Sequence, residues 1–298
     1  MKKKIAIIGA GVVGSSIAIL LHRRGYQVTG VVSRNPKSAR ALAAKVNSPV
    51  GDTNVTEVAG IAEILFITTP DREIARVALD VAEAANFNPG TLVIHMSGVL
   101  SSDVLGSVKK RGGLVLSLHP LQSFAGVEEA LASLPGSVFT LEGDEEALAD
   151  GRELVQDLGG IAVPIKAEDK VIYHGAACFA ANYLVALAHL AVGLFQSIGF
   201  SQAQGIQALL PLMQGVLDNI KAVGPVQALT GPIARGDGST VAGHLAALAD
   251  KAPEALDIYR LLGNYTLKIA LEKGTIDSER ALELEGLLEA VKGAGNNG

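Results

Sequence analysis

The first half of the chain alternates short apolar runs with longer stretches in which apolar residues recur every three or four positions. Apolar runs of roughly four to eight residues bounded by glycine, proline or small polar residues predict buried strands, and the longer stretches predict amphipathic helices. The predicted strands are 5–8, 27–33, 63–68, 90–95, 113–118, 137–141 and 161–164. Because strands and helices alternate, this half predicts a doubly wound, mostly parallel α/β sheet.

The pattern changes near residue 168, where strand signals stop and long helical patterns begin. The predicted helices are 169–198, 201–222, 239–248, 253–273 and 277–291. A strand–helix half followed by a helical half predicts two domains. We expect residues 1–166 to form an α/β domain and residues 167–298 to form an all-α domain.

The first strand leads directly into a glycine turn and a helix. Gly9, Gly11 and Gly14 have the G-x-G-x-x-G spacing of Rossmann folds. In that motif Gly9 permits the tight turn, Gly11 lets a pyrophosphate approach, and Gly14 allows the helix to pack closely. The N–H groups of Val12 and Val13, at the helix start, are expected to bind the phosphates. Strand, turn and helix together predict that residues 1–166 are a Rossmann dinucleotide-binding domain, which leaves residues 167–298 as the expected domain for substrate binding and dimerisation.

The end of the second predicted strand carries information about the cofactor. An Asp or Glu at this position usually binds the ribose 2′-hydroxyl of NAD, whereas Ser33 and Arg34 offer a hydroxyl and a guanidinium. These groups suit a 2′-phosphate, so NADP is the predicted cofactor. An ordinary surface arginine after a strand is the alternative.

Three further strand ends carry small, polar or imidazole side chains: Thr69 and Pro70, Ser97 and Gly98, and His119. Because the carboxyl ends of parallel strands meet at one edge of a sheet, these residues are expected to line one cleft. Thr69, Pro70, Ser97 and Gly98 are predicted cofactor contacts. Asp71, which begins the following helix, is expected to act as its N-cap, and its position at a strand end also makes a ligand contact an alternative.

A polar stripe runs along the first helix of the second half. Lys170, His174, Cys178 and Asn182 recur every four residues and so lie near one helix face. In so apolar a helix they need partners, either within the helical domain or in a substrate pocket beside the nucleotide-binding domain. His174 and Cys178 have a possible metal-ligand spacing, but no further Cys/His set accompanies them, and no metal site is predicted.

The glycine- and proline-rich stretch 230–238 is the other notable segment of the second half. Arg235 and Asp237 supply charge there to an otherwise apolar region. Arg235 is a candidate for binding a substrate carboxylate, and an ordinary interhelix loop is the alternative. His244 follows on the next helix and is a weaker candidate.

Composition excludes several classes of protein. A net charge of −5 argues against nucleic-acid binding, and a single cysteine, Cys178, fits a reducing, cytoplasmic compartment. The segment 176–195 is long and apolar enough to span a membrane, but it lacks a basic flank. We expect it to be a central helix buried by its neighbours.

The later motifs resemble a known family. His95–Gly98, His119–Gln122, Tyr173–His174, Asn182–Tyr183 and Thr230–Asp237 are similar to a poorly characterised family in which a Rossmann-like NADP-binding domain precedes a helical domain of unknown function. The broader resemblance is to pyrroline carboxylate reductase, ketopantoate reductase, hydroxyisobutyrate dehydrogenase and 6-phosphogluconate dehydrogenase. Several of those enzymes have a catalytic lysine one turn before an asparagine. Here Cys178 stands four residues before Asn182, so lysine chemistry is not assumed.

The resemblance implies an NADP-dependent oxidoreductase that transfers hydride between NADP(H) and a small carbonyl, imine or alcohol. His174 or His119 would move the proton, Asn182 and Ser97 would orient the substrate, and Arg235 would bind its carboxylate. A non-catalytic, NADP-binding regulatory or scaffold protein is the alternative, and a methyltransferase is disfavoured by Arg34. The apolar helical domain predicts a homodimer.

Overall fold

The computed structural model describes residues 2–289. Its chain divides into two compact units, Met1–Ala181 and Asn182–Gly298. All strands of the described chain lie in the first unit and the second is helical, which confirms the predicted fold class. The helix that begins at Lys170 belongs with the sheet, so the units divide fifteen residues after the expected boundary at 166.

The elements closely follow the predicted order. The strands are β1 (Lys4–Ile8), β2 (Gln27–Val32), β3 (Gly51–Asp52), β4 (Ile64–Ile67), β5 (Leu92–His95), β6 (Leu114–Pro120), β7 (Val138–Gly143) and β8 (Ile161–Pro164). The helices of the first unit are α1 (Val12–Arg23), α2 (Pro36–Lys45), α3 (Thr56–Ala59), α4 (Asp71–Glu83), α5 (Gly106–Lys110), α6 (Val127–Ser133), α7 (Glu145–Asp157) and α8 (Lys170–Ala180). Those of the second are α9 (Asn182–Ser197), α10 (Gln202–Ala228), α11 (Gly238–Lys251), α12 (Pro253–Lys273) and α13 (Ser278–Glu289).

The sheet has the order β3-β2-β1-β4-β5-β6-β7-β8. The strands from β1 to β6 are parallel, β7 is antiparallel to β6, and β8 is parallel to β7. The carboxyl ends of β1, β2, β4, β5 and β6 therefore meet at one edge, as the sequence predicts.

Both faces of the sheet are covered, which explains the continuous apolar runs of its strands. On β1, Ile5 and Ile7 pack into a cluster with residues of α1, α2, α6 and α7. Ala6 and Ile8 alternate with them and join a second cluster formed with α3, α4 and α5. The glycine turn thus follows a strand whose apolar side chains are buried on both faces of the sheet.

The second unit has its own small apolar cluster, formed by α11, α12 and α13. Val241, Leu267 and Leu284 are among its buried members. Asp237 begins this part of the chain as the N-cap of α11, and its carboxylate accepts the Thr240 N–H at 3.1 Å. This capping bond explains the acidic residue in the glycine- and proline-rich stretch before α11.

The apolar segment 176–195 is not buried by its neighbours, and that expectation is wrong. The stretch Ala167–Ser197 is long and apolar enough to cross a membrane, yet only 6% of its most apolar window is buried in the described chain. The predicted helix 169–198 is divided between α8 and α9, and α9 has no buried residue. Helix α10 packs on α9 but leaves both with exposed apolar side chains. The predicted end of the last helix, residues 290–291, lies outside the described residues.

Candidate functional site

The turn between β1 and α1 lies against the end of β4. Gly9 has a φ of 120°, a value that favours glycine, and its N–H donates to the Val32 oxygen at 2.8 Å. A β-carbon on Gly9 would lie 2.7 Å from the carbonyl carbon of Thr68, and one on Gly14 would lie 2.0 Å from the Gly9 oxygen. The fold itself therefore requires glycine at both positions.

Gly11 differs from the other two glycines of the motif. No atom of the described residues lies within 4 Å of the position its β-carbon would take, and its φ of −82° suits any residue. Internal packing and backbone strain do not explain this glycine, whereas the close approach of a pyrophosphate does. Gly11 is also the N-cap of α1, where the N–H groups of Val12 and Val13 lack intrahelical acceptors. The turn thus fits a dinucleotide phosphate.

A cleft of about 700 Å³ opens beside this turn. Its lining includes predicted cofactor contacts from three strand ends: Gly9, Gly11, Ser33, Arg34, Thr69 and Pro70. The predicted contacts Val12, Val13, Gly14, Ser97 and Gly98 do not line it. Thr69 Oγ1 is buried and has no hydrogen-bond partner in the described chain. Such an orphaned hydroxyl is typical of a site completed by a ligand or water.

Two guanidinium groups line the cleft, and one carboxylate contacts both. Arg34 Nη1 lies 4.0 Å from Glu73 Oε1, and Arg76 Nη2 lies 3.2 Å from Glu73 Oε2. Arg34 remains 69% exposed, so its contact with Glu73 is a weak surface pair. The sequence predicts only Arg34 here, because nothing in the pattern of α4 indicates which helix face meets the end of β2.

The turn after β5 is held by Ser97, whose hydroxyl donates to Asp71 Oδ2 at 2.8 Å. The same hydroxyl accepts from the N–H groups of Val99 and Leu100 at 3.3 and 3.1 Å. A hydroxyl has one proton and two lone pairs, so Ser97 has no further hydrogen bond to offer a ligand. Its geometry gives the side chain a structural role and does not favour the predicted contact with substrate or cofactor.

Asp71 is the first residue of α4 and makes no capping hydrogen bond, because Pro70 occupies the N-cap position. The predicted capping role of Asp71 is therefore wrong. Its carboxylate instead joins the end of β4 to the turn after β5 through Ser97.

His95 supports the same turn from inside the sheet. Its Nε2 lies 3.1 Å from the Ser101 carbonyl oxygen, and its Nδ1 accepts the Ser97 N–H at 3.2 Å. These partners make Nε2 the protonated nitrogen of a neutral ring. Burial, with a smaller effect from the Lys170 ammonium, lowers the pKa of His95 to about 4. His95 is thus a neutral structural group.

His119 on β6 and Tyr173 on α8 form a hydrogen-bonded pair. His119 Nδ1 lies 2.8 Å from the Tyr173 hydroxyl, and the two rings meet edge to face. Burial lowers the pKa of His119 to about 4, and the nearby Lys170 and His174 add to this effect. Burial also raises the pKa of Tyr173. At neutral pH the pair is an uncharged imidazole beside a protonated phenol.

Gly98 brings the two candidate acid–base histidines together. A β-carbon at Gly98 would lie 2.8 Å from both His119 Nε2 and His174 Cδ2, so both rings pack against this backbone. Their centroids are 6.4 Å apart. Cys178 Sγ lies 3.8 Å from His174 Nδ1 on the far side. The structure thus assembles a His–Gly–His cluster at the sheet edge.

Lys170 begins α8 and is 1% exposed. Its ammonium donates to Ser117 Oγ at 2.7 Å and to the Ser97 carbonyl oxygen at 3.2 Å. Burial lowers the pKa of Lys170, while the carboxylates of Glu142 and Asp71 act in the opposite direction. The four-residue stripe places Lys170 on the same helix face as His174, but the sequence does not reveal that this face meets the sheet.

Two predicted site residues, Asn182 and Arg235, belong to the second unit and are exposed. Their roles toward a substrate stay predictions. Neighbouring Asp237 caps α11, and hydrogen bonds from Thr240 and Ser239 hold its pKa at about 2. His244 Nδ1 lies 2.9 Å from the Tyr259 hydroxyl, a contact within the helical unit.

Two domain descriptions match the chain. Residues 1–120 match a Rossmann-like domain, and residues 137–266 match a domain of unknown function, DUF2520. The second match begins before β7 and so includes the end of the sheet as well as most of the helical unit. No curated protein sequence matches the chain.

Solved structures match the fold over nearly its whole length. Protein TM1727 from Thermotoga maritima is 28% identical, with a TM-score of 0.73 over 90% of this chain and 99% of that one. BF3122 from Bacteroides fragilis, provisionally described as an NADP oxidoreductase, is 24% identical, with a TM-score of 0.73 over 90% and 98%. Arogenate dehydrogenase from Synechocystis is 18% identical, with a TM-score of 0.54 over 96% of each chain. The last two likenesses concern the fold alone.

Proposed function

The chain joins a Rossmann-like domain to a DUF2520 domain, and from this premise we propose that it is an NADP-dependent oxidoreductase. The reaction is hydride transfer between NADP(H) and a small carbonyl, imine or alcohol. One observation carries the proposal: the His119–Tyr173 pair lies at the same sheet edge as the glycine turn and its cleft. Hydride chemistry needs a dinucleotide site and a proton-transferring group close together.

The cleft supports a dinucleotide with a 2′-phosphate. Gly11 leaves room for a pyrophosphate, and Val12 and Val13 begin the helix that would bind it. Arg34 and Arg76 supply two positive groups at the ribose end, with Ser33 beside them. When bound, the nicotinamide would supply or accept the hydride.

His119 is the proton-transferring group that the geometry favours. In its neutral form it holds one proton on one ring nitrogen, and Nδ1 faces the Tyr173 hydroxyl. The opposite nitrogen, Nε2, faces the backbone at Gly98. During reduction His119 Nε2 would donate its proton to the substrate oxygen or nitrogen while Nδ1 takes the Tyr173 hydroxyl proton, and water would return a proton to the resulting phenolate. During oxidation the same transfers would run in reverse. His174, on the other side of Gly98, is the alternative.

Substrate recognition in this proposal uses groups from the second unit. Arg235 is exposed and suits a substrate carboxylate, and Asn182 is exposed at the start of α9. Both assignments rest on side-chain chemistry and position in the sequence.

The exposed apolar surface of α9 and α10 supports a homodimer formed through the helical unit. Val185 and Leu210 line an apolar groove between these helices and are largely exposed in the single chain. A soluble monomer rarely exposes so much contiguous apolar surface. A second copy related by two-fold symmetry would cover the same surface on both chains.

Hydride transfer can be tested with NADPH deuterated at C4 and a set of oxo acids, aldehydes and cyclic imines. We expect deuterium to reach one of these substrates, and His119→Gln to slow the transfer while leaving NADPH binding intact. Tight NADPH binding without transfer to any substrate would instead support a non-catalytic, nucleotide-binding protein.

A further inference from the structure

Lys170 is a buried cation without an ion-pair partner in the described chain. The two carboxylates that influence it are engaged elsewhere: Asp71 accepts from Ser97, and Glu142 accepts from the N–H and hydroxyl of Ser102. Among the described residues, the Lys170 ammonium donates to the neutral oxygens of Ser97 and Ser117 and to no carboxylate. Burying an unpaired ammonium is unfavourable, and a methionine of similar length would avoid that penalty. Packing alone therefore does not explain why a charged side chain is found at this position.

The helix geometry connects Lys170 with the candidate catalytic groups. Tyr173 and His174 follow it by three and four residues, so all three side chains lie on one face of α8. Lys170 fixes the first turn of this face to Ser117 on β6 and to the carbonyl of Ser97. The next turn then places Tyr173 on His119 and His174 on Gly98.

We infer that Lys170 is a positioning residue: its ammonium locks α8 to the ends of β5 and β6 and thereby sets the geometry and charge state of the His119–Tyr173 pair. The inference rests on the proposed function in taking His119 as the proton-transferring group. It assigns Lys170 no contact with substrate or cofactor.

The charges around His119 support this role. The titratable groups that face it are Lys170, Tyr173 and His174 from α8, and His95 from β5. The positive charge of Lys170 opposes protonation of His119, and this effect adds to that of burial. A neutral His119 keeps one donor and one acceptor nitrogen, which a proton-transferring group beside a phenol requires.

The test is a titration of the histidine side chains by ¹⁵N NMR in the full-length protein, with the His119 signal assigned through its loss in His119→Gln. In Lys170→Met we expect His119 to gain about tenfold in proton affinity, and its Nδ1 signal to lose the signature of the Tyr173 bond. Lys166→Met, which removes an exposed charge just before α8, should leave the titration unchanged. Ser117→Ala, which removes a hydrogen bond but keeps the ammonium, should leave the His119 titration close to that of the wild type.

A folded Lys170→Met protein with the wild-type His119 titration would overturn the inference. If that variant does not fold, the wild-type protein decides: an imidazolium signal for His119 at neutral pH, or an uncharged Lys170 amine, would equally refute it. These measurements use no substrate. They are therefore independent of whether hydride transfer is ever observed.

Discussion

The hydroxyl of Ser97 donates a 2.8 Å hydrogen bond to the carboxylate of Asp71, although 26 residues separate the two. Asp71 begins α4 at the end of β4, and Ser97 begins the turn after β5. The bond thus joins two neighbouring strand ends. It also fixes the turn that presents Gly98 to the two imidazoles.

Breaking this bond is expected to destabilise the protein. Ser97→Ala and Asp71→Ala should each lower the free energy of unfolding by about 1–3 kcal/mol: the first leaves the N–H groups of Val99 and Leu100 without their acceptor, and the second leaves the buried Ser97 hydroxyl without its acceptor. The double variant should lose less than the sum of the two. Urea unfolding measures all three. Ser101→Ala, whose hydroxyl meets Asp103 at the surface, is the control and should change little; full additivity at Ser97 and Asp71 would contradict the prediction.

The glycine motif can be divided into a ligand-dependent and a fold-dependent position. Gly11→Ala should fold with wild-type stability but weaken NADPH binding by about tenfold or more, because its β-carbon enters space that only the pyrophosphate needs. Gly14→Ala should instead cost about 2 kcal/mol of stability, since its β-carbon meets the Gly9 oxygen. Calorimetry and thermal unfolding separate the two effects. Unchanged NADPH binding in Gly11→Ala would remove the argument for a phosphate site at this turn.

Cofactor choice is expected to depend on both arginines of the cleft. Arg34→Ala should weaken NADPH roughly tenfold to a hundredfold and NADH much less, because a charge-assisted contact to the 2′-phosphate is lost. Arg76→Ala should also weaken NADPH binding more than NADH binding, but by a smaller factor. Arg72→Ala is the matched control, since Arg72 lies near Glu73 but does not line the cleft. Equal losses of affinity for NADPH and NADH would indicate that Arg34 does not bind the 2′-phosphate.

The buried histidines predict a dependence of stability on pH. His95 and His119 have pKa values of about 4 in the folded chain and about 6.5 in the unfolded chain. Between these two pKa values the unfolded chain binds more protons than the folded chain. The free energy of unfolding therefore has its full value above about pH 6.5 and falls as the pH is lowered toward 4.

At about pH 5 the loss should be about 2 kcal/mol for each of these histidines, relative to about pH 7.5. Urea unfolding at the two pH values measures it. His119→Gln cannot titrate, so its pH dependence should be smaller than that of the wild type by about this amount. The same pH dependence in both proteins would show that His119 is not buried in a neutral state.

Light scattering of the full-length chain at micromolar concentration should give the mass of a dimer. Leu210→Glu, in the groove between α9 and α10, should shift it to the monomer because a charge in an apolar interface must be desolvated. Leu282→Glu, similarly exposed on α13, is the matched control. A monomeric wild-type protein would contradict the proposal, and recovery in the membrane fraction would assign the exposed helices to lipid instead.

The sequence predicts those features that depend on neighbouring residues. The apolar run 5–8 and the spacing of Gly9, Gly11 and Gly14 are local, and the strand, turn and helix were predictable from them. The fold class follows from the same alternation along the chain. The place of Arg34 in the lining of the cleft was predictable, because the end of the second strand lies beside the glycine turn in this fold. Its contact with a cofactor stays a prediction.

Such patterns do not predict contacts between residues that are distant in the sequence. The spacing of Lys170 and His174 shows that they share a helix face, but it does not show what that face meets. Tyr173 is paired with His119 across 54 residues, and nothing near either residue indicates the other. The prediction that the apolar segment is buried was also wrong, because the composition of a helix does not show whether its own chain covers it.

Because Gly98 has no side chain, it restricts which residues a related chain can have at this position if the two imidazoles stay where they are. Even a methyl group here would meet His119 and His174 at 2.8 Å, so an alanine and the present ring positions are mutually exclusive. A related chain with a larger residue at this position must have moved or replaced one of the histidines. A glycine at position 98 is therefore a requirement, recognisable from sequence alone, for any relative that keeps the two imidazoles in these positions.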